Sequence, residues 1–362
     1  MSTALELAEN LQCAHLKALQ PYQSARRLFS GGQDWLNANE SPFSNDFTVN
    51  CDTLNRYPDC QPKAVISAYA GYANVGTEQV LVSRGADEGI ELLIRAFCQP
   101  GQDRILICPP TYGMYAISAE TFQIGVETAP LQTDFSLNLN HVLDYVGKVK
   151  LVFICSPNNP TGTEINEQQL KTVLDAYKDS ALVVVDEAYI EFAQSSGCAD
   201  WLAEYPNLVV LRTLSKAFAL AGIRCGFTLA APEIIQVLYK VIAPYPLPEP
   251  VAQIAAQALC AEGLKRVENQ ISQLRQWRQA LLKSLENISQ LTPVGDTQAN
   301  FVLVRADKKQ ALMDHLVSQG ILIRDQSKQL HLDHCLRISI GNEEQNQRLI
   351  AAITAFYQQE GQ

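Results

Sequence analysis

The sequence predicts an α/β protein: a large domain whose mostly parallel sheet is flanked by helices, followed by a smaller α+β domain. Three observations carry this prediction. From about residue 79 to 230, short β-rich apolar runs alternate with helical stretches, and strands that are apolar on both faces belong to a largely parallel sheet with helices on either side. Prolines at 244, 246 and 248 then break the chain ahead of long helical segments from about 250 to 289. The last stretch, from about residue 290 onward, mixes short strands with helices. A chain of 362 residues, 47% hydrophobic and 18% charged, can bury one large core and a smaller one. The expected boundaries are an N-terminal arm over 1–35, a large domain over 36–250 and a small domain over 251–362.

In chain order, QVLVS (79–83) is a strand that leads into the helix ADEGIELLIRAF (86–97), and DRILIC (103–108) leads into the helix TYGMYAISAETF (111–122). KLVFIC, ALVVVDEA, LVVLRT and CGFTLA come next at intervals as further apolar strands. Beyond the prolines lie the strand NFVLV, a helix near 308 to 319, the strands ILIRD and LRISI, and a final helix. That helix opens on Asn342 as N-cap with Gln345 three residues on, the pattern of a capping box. No internal repeat or low-complexity stretch is present.

A net charge of -10 argues against general affinity for nucleic acid or an anionic membrane. An anionic substrate therefore needs a local cluster of arginines. The N-terminus has no signal-peptide pattern and no window holds 18 unbroken apolar residues, so the expected compartment is the cytoplasm. The ten cysteines are scattered, without a CxxC pair, and read as reduced thiols. HLDHC (331–335) has no second ligand cluster to complete a metal site and reads as a surface turn.

Ligands in such sheets sit at the carboxyl ends of the strands, and five features fall there. SRGADEG (83–89) sets Gly85 and Ala86 between strand and helix, where free backbone amides suit a phosphate; taken alone, such a turn is common. PPTYGMY (109–115) puts Tyr112 just after a strand, where it either stacks on a planar ligand or covers the sheet edge. CSPNNPTG (155–162) holds two asparagines between prolines, fit to close a turn or to meet a ligand. VVVDEAYIEF (183–192) ends an apolar strand on Asp186, a carboxylate that needs a salt bridge or a protonated heterocycle.

The fifth feature is TLSKAFALAGIRCGF (213–227), where Lys216 sits in an apolar run with Thr213, Ser215 and Arg224. Desolvation lowers a lysine's pKa and leaves the amine nucleophilic towards carbonyls, while the hydroxyls and guanidinium can hold a phosphate beside it. The segment reads as built to hold a phosphorylated aldehyde as a Schiff base. Together the five features describe a ligand with a phosphate, a flat ring, a basic ring nitrogen, a ring hydroxyl and an aldehyde. Pyridoxal phosphate has all of them.

SPNNPTG, DEAYIEF and TLSKAFALAGIRCGF also resemble, in order and spacing, the signatures of the fold-type I pyridoxal-phosphate-dependent aminotransferases. The likeness runs from LNANESP (36–42) to LRISIGNEEQN (336–346). RYPDCQPKAV, SRGADEGIELLIRAFC, CPPTYGMY and KVIAPYPLP resemble most the branch of histidine biosynthesis. The resemblance implies pyridoxal 5'-phosphate as cofactor, histidinol phosphate (keto partner imidazole acetol phosphate) and glutamate/2-oxoglutarate as substrates, and a homodimer. It assigns the aldehyde to Lys216, the pyridine nitrogen to Asp186 and the ring oxygen to Asn159 and Tyr189, with Tyr112 stacked on the ring. Ala86, Asp87, Thr213, Ser215 and Arg224 would surround the phosphate, joined by Tyr57 from the neighbouring subunit. Arg337 would grip the substrate carboxylate, with Arg324 and Tyr22 as further contacts to the substrate phosphate.

Other readings share parts of this pattern. A decarboxylase of phosphorylated amino acids has the same lysine and aspartate, and an aromatic amino acid aminotransferase differs only in substrate. A regulator built on such a domain needs an added DNA-binding segment, and no helix-turn-helix pattern accompanies this acidic chain.

Overall fold

The computed structural model describes residues 3–20 and 31–360. Tyr22 lies outside them. At its centre is a seven-stranded sheet in the order Val80–Ser83, Gly226–Ala230, Leu208–Thr213, Leu182–Asp186, Leu151–Cys155, Arg104–Ile107, Gly125–Thr128. Within this sheet Gly226–Ala230 alone runs against the others, antiparallel to both its neighbours. The remaining ladders are parallel.

Alternate residues of these strands feed opposite faces, as the pleat requires. Val152, Ile154, Val183, Val185, Leu208 and Val210 join the core on one face. Leu151, Phe153, Val184, Val209 and Leu211 join the other, against Ile90 and Leu93 of the helix Ala86–Phe97. That two-sided burial is why the strands read as unbroken apolar runs. Six of the ten cysteines are buried and all ten are free; burial pushes the Cys108 thiol up to about 12.

A second sheet is antiparallel, in the order Arg324–Asp325, Cys335–Ser339, Phe301–Ala306, Leu291–Pro293. The helices Ala261–Glu286, Lys309–Ser318 and Glu343–Glu360 belong to the same part of the chain. At the start of the last, the Asn342 N–H donates to Gln345 Oε1 and the Gln345 N–H to Asn342 Oδ1, both at 2.9 Å, as the predicted capping box requires. Asp34–Trp35 pairs in parallel with Ile321–Leu322, and Asp34 is held by Arg348 at 2.7 and 2.8 Å. No helix among the described residues is long and apolar enough to cross a membrane.

One buried ion pair stiffens the large sheet beside its polar strand ends. Arg212 donates to Glu187 Oε2 at 2.7 and 2.8 Å, and Glu187 Oε1 accepts the Cys198 N–H at 2.7 Å. Removing one member of such a pair strands a buried charge, so Arg212→Leu is expected to cost about 3–5 kcal/mol in urea unfolding. Replacing both Arg212 and Glu187 by apolar residues of similar size should recover most of that loss. A double variant no more stable than Arg212→Leu would show that the pair contributes more than mutual neutralisation.

Candidate active site

The polar strand ends open onto one cavity of about 540 Å³, within the usual range for a small-molecule site. Ala86, Asp87, Tyr112, Asn159, Asp186, Tyr189, Thr213, Ser215, Lys216, Arg224, Arg324 and Arg337 all line it. Tyr57 does not: it is 80% exposed and stacks on Tyr245 with ring centroids 4.3 Å apart.

One end of the cavity is made of donors. Gly85 caps the helix Ala86–Phe97 at a φ of +83° and offers no side chain to its first amides, which leaves them free for an anion. Arg224 Nη1 donates to Ser215 Oγ at 3.3 Å, and Thr213 Oγ1 donates to Ser215 Oγ at 2.9 Å. Arg224 Nη2 reaches Asp87 at 3.1 Å, and Tyr112 donates its hydroxyl to the same carboxylate at 2.9 Å. The segments close tightly here. A Cβ on Gly226 would collide with the Ala86 nitrogen, and one on Gly85 would lie 2.6 Å from Arg224 Nη2. Two amides, two hydroxyls and a guanidinium fit a phosphate.

The middle holds the two groups of greatest chemical interest. Asp186 is buried at the end of its strand; Oδ2 accepts the Tyr115 hydroxyl at 2.6 Å and Oδ1 the Ala188 N–H at 3.1 Å. Burial raises its carboxyl to about 6 against those two hydrogen bonds. Among the described residues no basic side chain forms an ion pair with it, so a cationic N–H fits the place. Lys216 Nζ donates to the Ala38 carbonyl at 3.1 Å. Burial first, and then the Arg337 charge, lower the amine to about 8.

The far end carries cations from the small sheet. Arg324 and Arg337 face each other across neighbouring strands and line the same cavity. Two guanidiniums so placed favour an anion between them. Arg337 Nη1 donates to Asn159 Oδ1 at 2.5 Å and Nη2 to the Asn37 carbonyl at 3.0 Å. With its oxygen engaged, Asn159 presents its amide nitrogen to a ligand. Donors for one phosphate, a seat for a cationic ring nitrogen and a reactive amine between them fit pyridoxal phosphate.

Three participants carry no chemical mark in the sequence. Tyr115 lies three residues after Tyr112, in the first turn of the helix Met114–Thr121, and only the fold brings it to Asp186. Ala38 and Asn39 belong to LNANESP, a stretch with no local signal except an asparagine able to take a left-handed backbone. Asn39 Nδ2 donates to the Tyr189 hydroxyl at 2.9 Å.

The family profile described as aminotransferase class I and II matches residues 31–353. The chain is 62% identical over 347 residues to a histidinol-phosphate aminotransferase of Pseudoalteromonas atlantica, covering 95% of this chain and 94% of that protein. It is 53% identical over 356 residues to the histidinol-phosphate aminotransferase of Salmonella typhimurium, covering 98% and 99%. The solved histidinol-phosphate aminotransferase of Sinorhizobium meliloti, in complex with pyridoxal-5'-phosphate, superposes with a TM-score of 0.84. It is 23% identical, covering 96% of this chain and 98% of that one, and speaks for the fold.

Proposed function

The chain belongs to the class I and II aminotransferases, and from that premise we propose that it exchanges an amino group between histidinol phosphate and 2-oxoglutarate. Imidazole acetol phosphate and glutamate are the partners, in the biosynthesis of histidine. Near-full-length relatives at 53% and 62% identity support this substrate. The observation that carries the chemistry is the pairing of a half-buried amine at Lys216 with a buried carboxylate at Asp186 in one cavity.

Pyridoxal phosphate, when bound, supplies an aldehyde that takes up the amino group and a ring that accepts the electrons released at the substrate carbon. Asp186 keeps a proton on the ring nitrogen. Ala86, Asp87, Thr213, Ser215 and Arg224 hold the phosphate, Tyr112 covers the ring face, and Asn159 and Tyr189 hold the ring oxygen. Lys216, poised near neutrality, carries a proton away from the substrate carbon. Arg337 binds the carboxylate of glutamate and, with Arg324, the phosphate of histidinol phosphate, because a planar guanidinium donates two hydrogen bonds to either anion.

Tyr57 reaches the cofactor phosphate from a second copy, so the working unit is a homodimer in the cytoplasm. A stable monomer with full activity would count against it. The cofactor and substrate are read from the visible absorbance of the holoenzyme. The band should convert with histidinol phosphate and return with 2-oxoglutarate; conversion by aromatic amino acids alone would leave the fold and overturn the substrate.

The shared anion site makes its own prediction. Arg337→Ala should weaken single-turnover half-reactions with both donors by about 10²-fold, the loss of one charge-assisted bidentate contact. Arg324→Ala should harm histidinol phosphate at least as much as glutamate. An Arg337→Ala variant impaired towards glutamate alone would sink the shared role.

A further inference from the structure

Asn39 is 1% exposed, and every polar group it carries is engaged. Its N–H donates to Ser339 Oγ at 2.8 Å, and its carbonyl accepts from Asn300 Nδ2 at 2.9 Å. The Ser339 hydroxyl donates to its Oδ1 at 3.3 Å, and its Nδ2 donates to the Tyr189 hydroxyl at 2.9 Å. The amide orientation is set by Ser339, whose single hydrogen needs an acceptor. Nitrogen therefore faces Tyr189. The backbone at Asn39 has a φ of +54°, a conformation asparagine tolerates better than most residues.

A phenol has one hydrogen and two lone pairs. Because Asn39 can only donate at that contact, the Tyr189 hydrogen is turned away from it, towards the cavity that Tyr189 lines. We propose that Asn39 is a positioning residue that obliges Tyr189 to act as a hydrogen-bond donor to the ring oxygen of the cofactor. This rests on the cofactor reading above. The same side chain ties that donor to Ser339 of the small sheet, two residues from Arg337 in the strand Cys335–Ser339, and the Asn39 carbonyl holds Asn300 just ahead of the strand Phe301–Ala306.

The test reverses the polarity of one contact at constant shape. In Asn39→Asp the introduced carboxylate accepts the Tyr189 hydrogen and withdraws it from the cavity. A donor to the ring oxygen favours the form of the bound cofactor with more negative charge there, which is the deprotonated one. Losing it raises the pH midpoint at which the visible band of the bound cofactor titrates. Arg337, Asp186, Cys155 and Lys216, the other titratable or charged groups around Tyr189, are unchanged.

Asn39→Asp and Tyr189→Phe are each expected to raise the midpoint by roughly one unit and to weaken cofactor retention several-fold. The double variant should match Tyr189→Phe alone. Asn39→Ala, which leaves the phenol its hydrogen, should move the midpoint by less than half as much. Thermal unfolding of the cofactor-free proteins checks that all are folded. Additive shifts in the double variant would mean a bare charge effect and overturn the proposal, as would an unmoved midpoint in Asn39→Asp. Should Tyr189→Phe leave the midpoint in place, the contact between Tyr189 and the ring falls, and this inference with it. Failure of the unsubstituted protein to form any visible band would instead remove the cofactor reading itself.

Discussion

Lys216→Ala is expected to slow both half-reactions by about 10⁴-fold, the upper end of what a positioned proton-transfer group supplies. Lys216→Arg should not restore them, since a guanidinium stays protonated and cannot accept a proton. A Lys216→Arg variant within tenfold of the unsubstituted enzyme would refute the assignment. The amine also sets a pH dependence. Its pKa is lowered from 10.5 to about 8, with burial the leading cause, and only the neutral form attacks a carbonyl. The rate at which cofactor-free protein captures pyridoxal phosphate should rise about tenfold per unit below pH 8 and level off above it. Stopped-flow absorbance reads this directly. A rate still climbing at pH 10 would mean that the lysine is not desolvated.

Asp186→Asn should lose about 10³-fold in activity, because an amide cannot hold a proton on the ring nitrogen. Its effect on stability runs the other way. The carboxyl is raised from 3.8 to about 6 in the folded chain by burial, so ionising it opposes folding. The favourable state is present below about pH 4 and is lost as pH climbs through 6, a difference of about 3 kcal/mol in the cofactor-free protein. Urea unfolding of cofactor-free Asp186→Asn against the unsubstituted protein should show a relative advantage that grows across that window. A variant less stable at pH 7.5 than at pH 4.5, relative to the parent, would show that Tyr115 and Ala188 already compensate the buried charge. Activity and stability therefore oppose each other at this residue.

Much of this was legible in the chain, and the exceptions share one cause. The strand LVVLRT announces itself because burial on two faces leaves an unbroken apolar run, and the helix ADEGIELLIRAF because burial on one face leaves a helical period. Asp186 and Lys216 stand out because charge is rare in apolar surroundings. The partners of these groups leave no such trace. Tyr115 on Asp186, Asn39 on Tyr189 and Glu187 on Arg212 are pairings between distant segments, and no spacing encodes them. Nor does an apolar strand reveal its direction: CGFTLA reads like its neighbours, yet Gly226–Ala230 runs against them. Asp34–Trp35 and its partner Ile321–Leu322 are too short for any pattern to register.

The placement of Gly226–Ala230 also has a consequence for how the protein is made. This strand fills the gap between Val80–Ser83 and Leu208–Thr213, so Val80–Ser83 leaves the ribosome long before the neighbour that will bond to it. Until then it is an apolar strand with no neighbour on either side, the kind of surface that chaperones cover and that aggregates otherwise. The same late insertion brings Gly226 against the Ala86 amide and sets Arg224 beside it. The anion seat is thus among the last parts of the large sheet to exist, and a nascent chain has no means of retaining its cofactor before that strand is in place.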